Sequence, residues 1–149
     1  MADDVLLDFF HMEIVAYSIQ STRKEERVDY GISKLEYIGF TTGFRFVERL
    51  TRDLPRFKEE LDIVKFICKD YWMAICKKQI DSLLTNYEGM YVLQDNNFRF
   101  LSQLSSGRQY LELAPKFVAF MCGMIRGALT NLGIMAVVTA ETSSLPACK

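Results

Sequence analysis

Residues 117–125 read Phe-Val-Ala-Phe-Met-Cys-Gly-Met-Ile, which is the longest apolar run in the chain. On a helix this run is apolar on nearly every side, and such a helix usually lies at the centre of a domain. Nine residues are too few to cross a bilayer, which takes about 20. The run therefore predicts a core helix. Pro115 opens it, because proline tolerates a helix start but not an interior, and Gly133 caps its end.

The composition fits a chain that folds around one core. The length of 149 residues is typical of a single domain, and half of the residues are hydrophobic and a quarter are charged. Eighteen basic and nineteen acidic side chains leave a formal charge of −1. This balance excludes a disordered tail, a broad nucleic-acid surface and a dense basic face for acidic lipid. We expect one domain over residues 1–149, in a reducing compartment, because the acidic start is not a secretory signal.

Three more helices and a few short strands are indicated around the core helix. The first helix spans roughly residues 4–21 and the second roughly residues 32–51, with five consecutive charged residues at 23–27 as their solvated connection. The third follows Pro55, over roughly residues 56–79.

A turn, Asn86-Tyr87-Glu88-Gly89, separates two short apolar stretches and predicts a hairpin. The stretches are residues 83–84 and 90–93. Residues 136–140 are rich in β-branched side chains and predict another strand.

The first helix carries more apolar surface than one core can cover. Successive side chains lie about 100° apart on a helix. One apolar face then holds Val5, Phe9, Met12, Ala16 and Ile19, and the opposite face holds Leu6, Leu7, Phe10, Ile14 and Tyr17. Two narrow polar seams divide them, Glu13 with Gln20 and His11 with Ser18. Either the helix is enclosed within its own domain, or one face packs on the core and the other binds another chain.

The second helix has a groove in which a neighbouring helix could approach closely. Gly39 and Gly43 share one face, and a bulky ridge lies beside them. The pattern is typical either of tight internal packing or of a shared surface. The interface that we predict comprises Leu6, Leu7, Phe10, Ile14, Tyr17, Gly39, Phe40, Gly43, Phe44 and Val47.

The chemistry-bearing residues do not form a catalytic pattern. His11 is the one histidine, and no phosphate-binding glycine loop or short-spaced metal-ligand set is present. Cys68 and Cys76 would lie about 12 Å apart along a helix, too far for a disulfide. With Cys122, they are expected to be buried free thiols. We therefore expect no catalytic residue, cofactor or metal. The competing hypotheses are a lipid- or small-molecule-binding module and a cysteine-dependent enzyme.

Four ordered motifs resemble the small subunits of the transport protein particle, TRAPP. Residues 35–40, Leu-Glu-Tyr-Ile-Gly-Phe, with the residues that follow to Leu50, resemble the second helix of that family. Residues 122–129, Cys-Gly-Met-Ile-Arg-Gly-Ala-Leu, look like its fourth-helix signature. Residues 57–70 and 91–96 are similar to the subunit 6 branch, in particular its B form.

The resemblance implies an α/β fold of the α+β type, with four main helices packed on a small, mostly antiparallel sheet. It also implies a non-catalytic architectural subunit that pairs with TRAPP subunit 3 through its first two helices and assembles with other small subunits. Without a partner, the same surface is expected to self-associate. The particle tethers vesicles and exchanges nucleotide on a Rab GTPase in ER-to-Golgi transport. The implied location is cytoplasmic, peripheral at the cis-Golgi and endoplasmic reticulum, without membrane insertion.

Two features depart from the family pattern. The subunit 3 branch carries an acylated cysteine just before its third helix, whereas residues 54–56 of this chain are Leu-Pro-Arg, so a covalent lipid is not implied. Family members continue into a last strand after a turn corresponding to Pro146, whereas this sequence stops at Lys149.

Overall fold

Helices and one β-hairpin make up the regular structure in the computed structural model, which describes residues 2–21, 28–102, 104, 108–142 and 145–149. In chain order the elements are α1 (Ala2–Ser21), α2 (Val28–Thr51), α3 (Glu60–Phe66), a π-helical turn (Ile67–Tyr71), α4 (Trp72–Cys76), β1 (Ser82–Thr85), β2 (Tyr91–Gln94) and α5 (Arg108–Asn131). Because α3, the π turn and α4 are continuous, four main helices accompany a two-stranded antiparallel sheet. This confirms the predicted fold class. The charged stretch at 23–27 lies outside the described residues.

Helices α2 and α5 approach each other closely, and four glycines make this close approach possible. Gly39 and Gly43 of α2 face the backbone of α5, while Gly123 and Gly127 of α5 face the backbone of α2. A Cβ atom added to Gly43 would lie 2.6 Å from Met124 Cα, which is closer than real Cβ contacts come. The two backbones therefore meet directly, and the internal-packing alternative for the glycine pair is confirmed.

The third helix is shorter than predicted at both ends. The backbone at Glu59 is extended, so the helix starts at Glu60 rather than near Arg56. In the preceding segment, the Phe57 ring contacts that of Phe66, with centroids 5.2 Å apart, which ties the non-helical stretch to the helix. The helix ends at Cys76 rather than near Gln79, because Lys77 adopts the left-handed conformation and its N–H bonds back to the Met73 carbonyl.

The fourth main helix, α5, begins earlier than predicted. Pro115 lies inside it rather than at its start, with an exposed ring. The neighbouring Ala114 is fully buried in the main core, so packing outweighs the backbone hydrogen bond that proline removes. The predicted end is confirmed to within two residues: Gly133 has φ +94°, and the Ile134 N–H bonds to the Leu129 carbonyl at 2.8 Å.

Length and composition would let α5 cross a membrane over Glu112–Asn131, but 61% of its most apolar window is buried inside the chain. The core helix of a soluble protein passes the same test. The prediction of a central helix from residues 117–125 is confirmed, since Val118 through Met124 are buried.

The hairpin is confirmed, but the strand predicted at residues 136–140 is wrong. β1 pairs with β2 from Ser82 opposite Gln94 to Thr85 opposite Tyr91. Residues 134–140 alternate between half-buried and exposed side chains as a strand does, yet no described strand pairs with them. Burial pattern alone does not make a strand, because the backbone also needs a hydrogen-bonded neighbour.

A buried carboxylate joins the hairpin to the third helix. Asp95, which follows β2, is completely buried and accepts hydrogen bonds from Trp72 Nε1 at 2.8 Å, Lys78 Nζ at 2.8 Å and the Asn97 N–H at 2.9 Å. Lys78 also pairs with the more exposed Asp81 at 2.8 Å. Asp95 thus satisfies an indole, an ammonium and a backbone donor at once.

Candidate protein–protein interface on helix α1

The buried side of α1 is a narrow stripe. His11, Val15 and Ser18 are almost fully buried. The Ser18 hydroxyl donates to the Gly31 carbonyl of α2 at 2.9 Å, and Val15 packs with Leu35 and Ala119. His11 and Ser18 lie between the two apolar faces, and this seam is the side of the helix that packs on the core. Hydrogen bonding and ring stacking allow both polar side chains to be buried there.

Large apolar side chains are exposed on the other sides of α1. Phe10, Leu6 and Tyr17 are 62%, 64% and 65% exposed. Three more exposed apolar side chains, outside the predicted interface, lie on the same helix: Val5, Phe9 and Met12. We call these six side chains the α1 surface. They come from both apolar faces that the sequence pattern identifies, three from each, so neither face as a whole packs on the core.

Arg99 fixes the start of α1 to the rest of the fold. Its guanidinium donates to Asp8 Oδ1 at 2.7 Å and to the Asp4 carbonyl at 2.5 Å on α1, and to the Ile75 carbonyl on α4 at 2.6 Å. Lys77 adds an ion pair with Asp4 at 3.3 Å, and this hydrogen bond lowers the pKa of Asp4. No local pattern in the sequence indicates this link, because the residues that it joins on α1 are about 90 positions from Arg99.

The α1 surface continues onto α2 near the ends of both helices. Lys34 Nζ lies 4.7 Å from the centre of the Tyr30 ring and 6.0 Å from that of Tyr17. A cation over an aromatic face is attracted by the ring's electrons. Together with Tyr37, these side chains extend the aromatic surface beyond α1.

The predicted interface residues fall into three groups. Leu6, Phe10, Tyr17 and Phe44 are exposed. Leu7, Ile14 and Phe40 are half-buried against their own chain, and the Arg126 guanidinium lies 4.5 Å from the centre of the Phe40 ring. Gly39, Gly43 and Val47 are buried, the glycines against α5 and Val47 in the main core. For these last three, the prediction is corrected, because intrachain packing leaves no surface for a partner.

His11 is buried where α1 packs against the rest of the chain. Its ring stacks on Phe100, with centroids 4.0 Å apart, and its Nε2 has no hydrogen-bond partner in the part of the chain that the structure describes. Burial lowers the pKa of His11 from 6.5 to about 4, opposed by a hydrogen bond with the Phe117 backbone and by the charge of Asp8.

We expect stability to fall as the pH drops from about 6.5 to about 4. The unfolded chain binds a proton at its ordinary pKa while the folded chain resists it, and the full difference is about 3 kcal/mol. Urea unfolding of the wild type and of His11→Phe at pH 7.5, 6 and 5 measures it. Carboxylates titrate in both proteins. The loss of stability that the wild type shows with falling pH, beyond the loss shown by His11→Phe, therefore isolates the effect of His11. Parallel pH profiles would contradict the prediction.

The free thiols are held in their protonated form. Cys68, Cys76 and Cys122 are buried and unpaired, as predicted. Burial raises the pKa of both Cys68 and Cys122 to about 11. A reactive cysteine needs a thiolate near neutral pH, so these side chains do not suit nucleophilic chemistry.

Comparison with known proteins identifies the class to which this fold and surface belong. The model of the family "Transport protein particle (TRAPP) component" matches residues 7–149. Because the match covers nearly the whole chain, this protein belongs to the TRAPP family.

Individual relatives agree with the resemblance drawn from the motifs. The chain is 56% identical to trafficking protein particle complex subunit 6b of Danio rerio, over all of this chain and 95% of the relative. It is 56% identical to subunit 6B and 51% identical to subunit 6A of Homo sapiens, with the same coverage. The crystal structure of a TRAPP subunit 3 from Naegleria fowleri covalently bound to palmitic acid superposes with a TM-score of 0.71 at 16% identity, over 92% of this chain and 83% of that one.

Proposed function

We propose that this protein is a non-catalytic, architectural subunit of a TRAPP complex. It pairs with a subunit of the subunit 3 branch through the α1 surface and the adjoining edge of α2, and with other small subunits in the particle. The complex tethers vesicles and exchanges nucleotide on a Rab GTPase in ER-to-Golgi transport. The observation that carries this proposal is the α1 surface: six exposed apolar side chains on one helix that Arg99 holds in place.

The composition of the α1 surface is that of an interface centre. Aromatic and large aliphatic side chains dominate the energy of protein association, while charged residues are depleted there. Phe10 and Tyr17 lie two turns apart on the helix and are both mostly exposed. Large exposed apolar patches on soluble proteins commonly mark sites of protein–protein contact. Burying it against a sister subunit, or against a second copy when none is present, removes it from water.

The proposed location follows from the proposed assembly. An architectural subunit contributes by holding others together, at the cytoplasmic face of the endoplasmic reticulum and cis-Golgi. The raised thiol pKa values support a structural role for the cysteines, and burial of most of α5 supports peripheral attachment without insertion.

Phe10→Asp is expected to weaken the heterodimer with a TRAPP subunit 3 by about 30-fold or more. Truncating or charging a central aromatic contact typically costs about 2 kcal/mol or more, and a carboxylate buried without a partner is costly. Sedimentation velocity with purified subunit 3 measures the affinity. Sedimentation of the protein alone at tens of micromolar is expected to show self-association that the same substitution abolishes.

Leu84→Asp is the matched control, because Leu84 is 60% exposed, as Phe10 is 62% exposed, but lies on the hairpin. It should leave both kinds of association intact. Circular dichroism confirms that each variant is folded. Unchanged heterodimer affinity for Phe10→Asp would remove the α1 surface from the interface, and a strictly monomeric wild type would refute the self-association.

An alternative function has its own structural support. A cavity of about 800 Å³ lies between α5, β2 and residues 134–141, and apolar side chains such as Val118, Met121 and Leu129 line it. Such a volume suits a lipid or another small apolar ligand. Covalent attachment is disfavoured, because burial raises the pKa of the lining thiols Cys122 and Cys148 to about 11 and about 12. Native mass spectrometry decides: purified protein without a bound lipid would eliminate this alternative.

A further inference from the structure

The C-terminal end of α2 and the segment that follows it carry a cluster of exposed cations. The chain as a whole has a formal charge of −1, so this concentration of one sign is local. The exposed cations of residues 45–58 are Arg45, Arg49, Arg52, Arg56 and Lys58. We call the first three of these side chains the arginine row.

The arginine row follows one side of α2, turned away from the core. Its members are spaced by four and three residues, which places them above one another over a rise of about 10 Å. Arg45 is two residues from both Gly43, which faces α5, and Val47, which is buried in the main core. Two residues are about half a turn of helix, so the row faces solvent.

The arginine row is not neutralised by this chain. Within the part of the chain that the structure describes, none of its three guanidinium groups makes an ion pair or a hydrogen bond. The acid next to Arg49, Glu48, instead accepts a hydrogen bond from Asn131 Nδ2 of α5 at 3.0 Å. Like charges three and four residues apart on a helix repel each other. An arriving anion would therefore relieve repulsion as well as form new contacts.

The side chains of the cluster favour carboxylates as that anion. Four of the five cations are arginines, whose planar guanidinium group can bind a carboxylate through two parallel hydrogen bonds. Attraction to an anionic membrane depends on a dense excess of positive charge. Here it is offset by exposed carboxylates that follow directly in the chain, on Glu59, Glu60 and Asp62. An acidic protein segment can match the row without covering a wider area.

We propose that the arginine row binds an acidic helix of a partner protein, as a second contact surface beyond the one proposed on α1. Aspartate or glutamate side chains spaced by three and four residues on the partner helix have the same rise as the row, so each guanidinium meets one carboxylate. About 20 Å of helix separates Arg49 from Lys34, which adjoins the α1 surface. Both surfaces can therefore be occupied at once.

Two alanine-based helical peptides of identical composition, each with three glutamates, test the proposal. In the first, the glutamates are spaced by three and four residues and share one side; in the second, they are five residues apart and point to different sides. Titration of the 149-residue protein, followed by amide NMR shifts, should show binding of the first at least about fivefold tighter. The largest shifts are expected at the arginine row. Raising NaCl from about 50 to about 500 mM should weaken this binding about tenfold.

Arg49→Glu should weaken binding of the first peptide at least about tenfold, because it reverses the central charge of the row. Lys116→Glu is the matched control. It makes the same charge change on α5, about 20 Å along that helix from Asn131, whose side chain contacts Glu48 near the row. It should leave the affinity unchanged, and circular dichroism shows that both variants are folded. Equal binding of the two peptides, or undiminished binding by Arg49→Glu, would overturn the proposal.

Two further measurements separate this surface from a membrane site and from subunit pairing. Sedimentation with phosphatidylserine-containing vesicles that Arg49→Glu abolishes would assign the row to lipid and overturn the proposal. Phe10→Asp should retain peptide binding, and Arg49→Glu should retain the heterodimer with subunit 3. Loss of that heterodimer in Arg49→Glu would place the row in the pairing interface, which overturns this inference but leaves the proposed function standing.

Discussion

Gly43→Ala is expected to lower the free energy of unfolding by about 3 kcal/mol. The added Cβ would lie 2.6 Å from Met124 Cα and 2.8 Å from its carbonyl carbon. The obstacle is backbone, which cannot rotate aside as a side chain does. Alanine gains about 1 kcal/mol in helix propensity over glycine, but overpacking a close contact outweighs it. Separating α2 from α5 would also loosen the core on both sides.

Thr42→Ala is the matched control for that substitution. Thr42 is the preceding residue of the same helix, its side chain is not part of the core, and its hydroxyl bonds to the Ile38 carbonyl one turn back. We expect a change within about 0.5 kcal/mol. Urea unfolding followed by circular dichroism gives both values, and equal midpoints for the two variants would show that α2 and α5 are not as close as described.

Asp95→Ala is expected to destabilise the protein by about 3–5 kcal/mol, because breaking a buried charged contact on one side has costs of this order. The substitution leaves the buried indole N–H of Trp72 without its acceptor and removes the buried partner of Lys78. Loss of this carboxylate should also disturb the surroundings of Trp72, so tryptophan fluorescence during urea unfolding reports both stability and local packing.

Asp81→Ala isolates the contribution of burial in this cluster. Asp81 bonds to the same ammonium at 2.8 Å, but its side chain is 35% exposed. Its hydrogen bond with Lys78 lowers its pKa, yet exposed ion pairs contribute only about 0.2–1 kcal/mol. Similar losses of stability from the two alanine variants would show that the burial of Asp95 adds nothing to its contribution.

The elements that the sequence predicts well are those with strong local signals. Residues 117–125 identify the core helix because apolarity on all sides requires burial, and the Asn86–Gly89 turn locates the hairpin. The helix end predicted near Gly133 is correct, since Gly133 has a positive φ, which glycine adopts readily. The apolar excess on the first helix also points to the α1 surface.

Features that depend on distant contacts are not visible in local pattern. The sequence predicts Pro115 at a helix start, whereas in the structure the helix continues on both sides of Pro115 and the neighbouring Ala114 packs in the core. It predicts His11 in a polar seam, because nothing near His11 in the chain indicates that its ring stacks on Phe100. The glycines of α2 are compatible with close packing inside the chain and with close packing against another chain. Only the position of α5 shows that the packing is internal.

The Arg99 contacts also bear on how quickly and how tightly the α1 surface can be recognised. This one guanidinium joins Asp4 and Asp8 of α1 to the end of α4, so the start of the exposed helix is tied to the rest of the fold. In the assembly that we propose, association would sacrifice little conformational entropy, so that more of the energy released on contact would appear as affinity. We expect docking to join two preorganised surfaces, at a rate limited by orientation rather than by refolding.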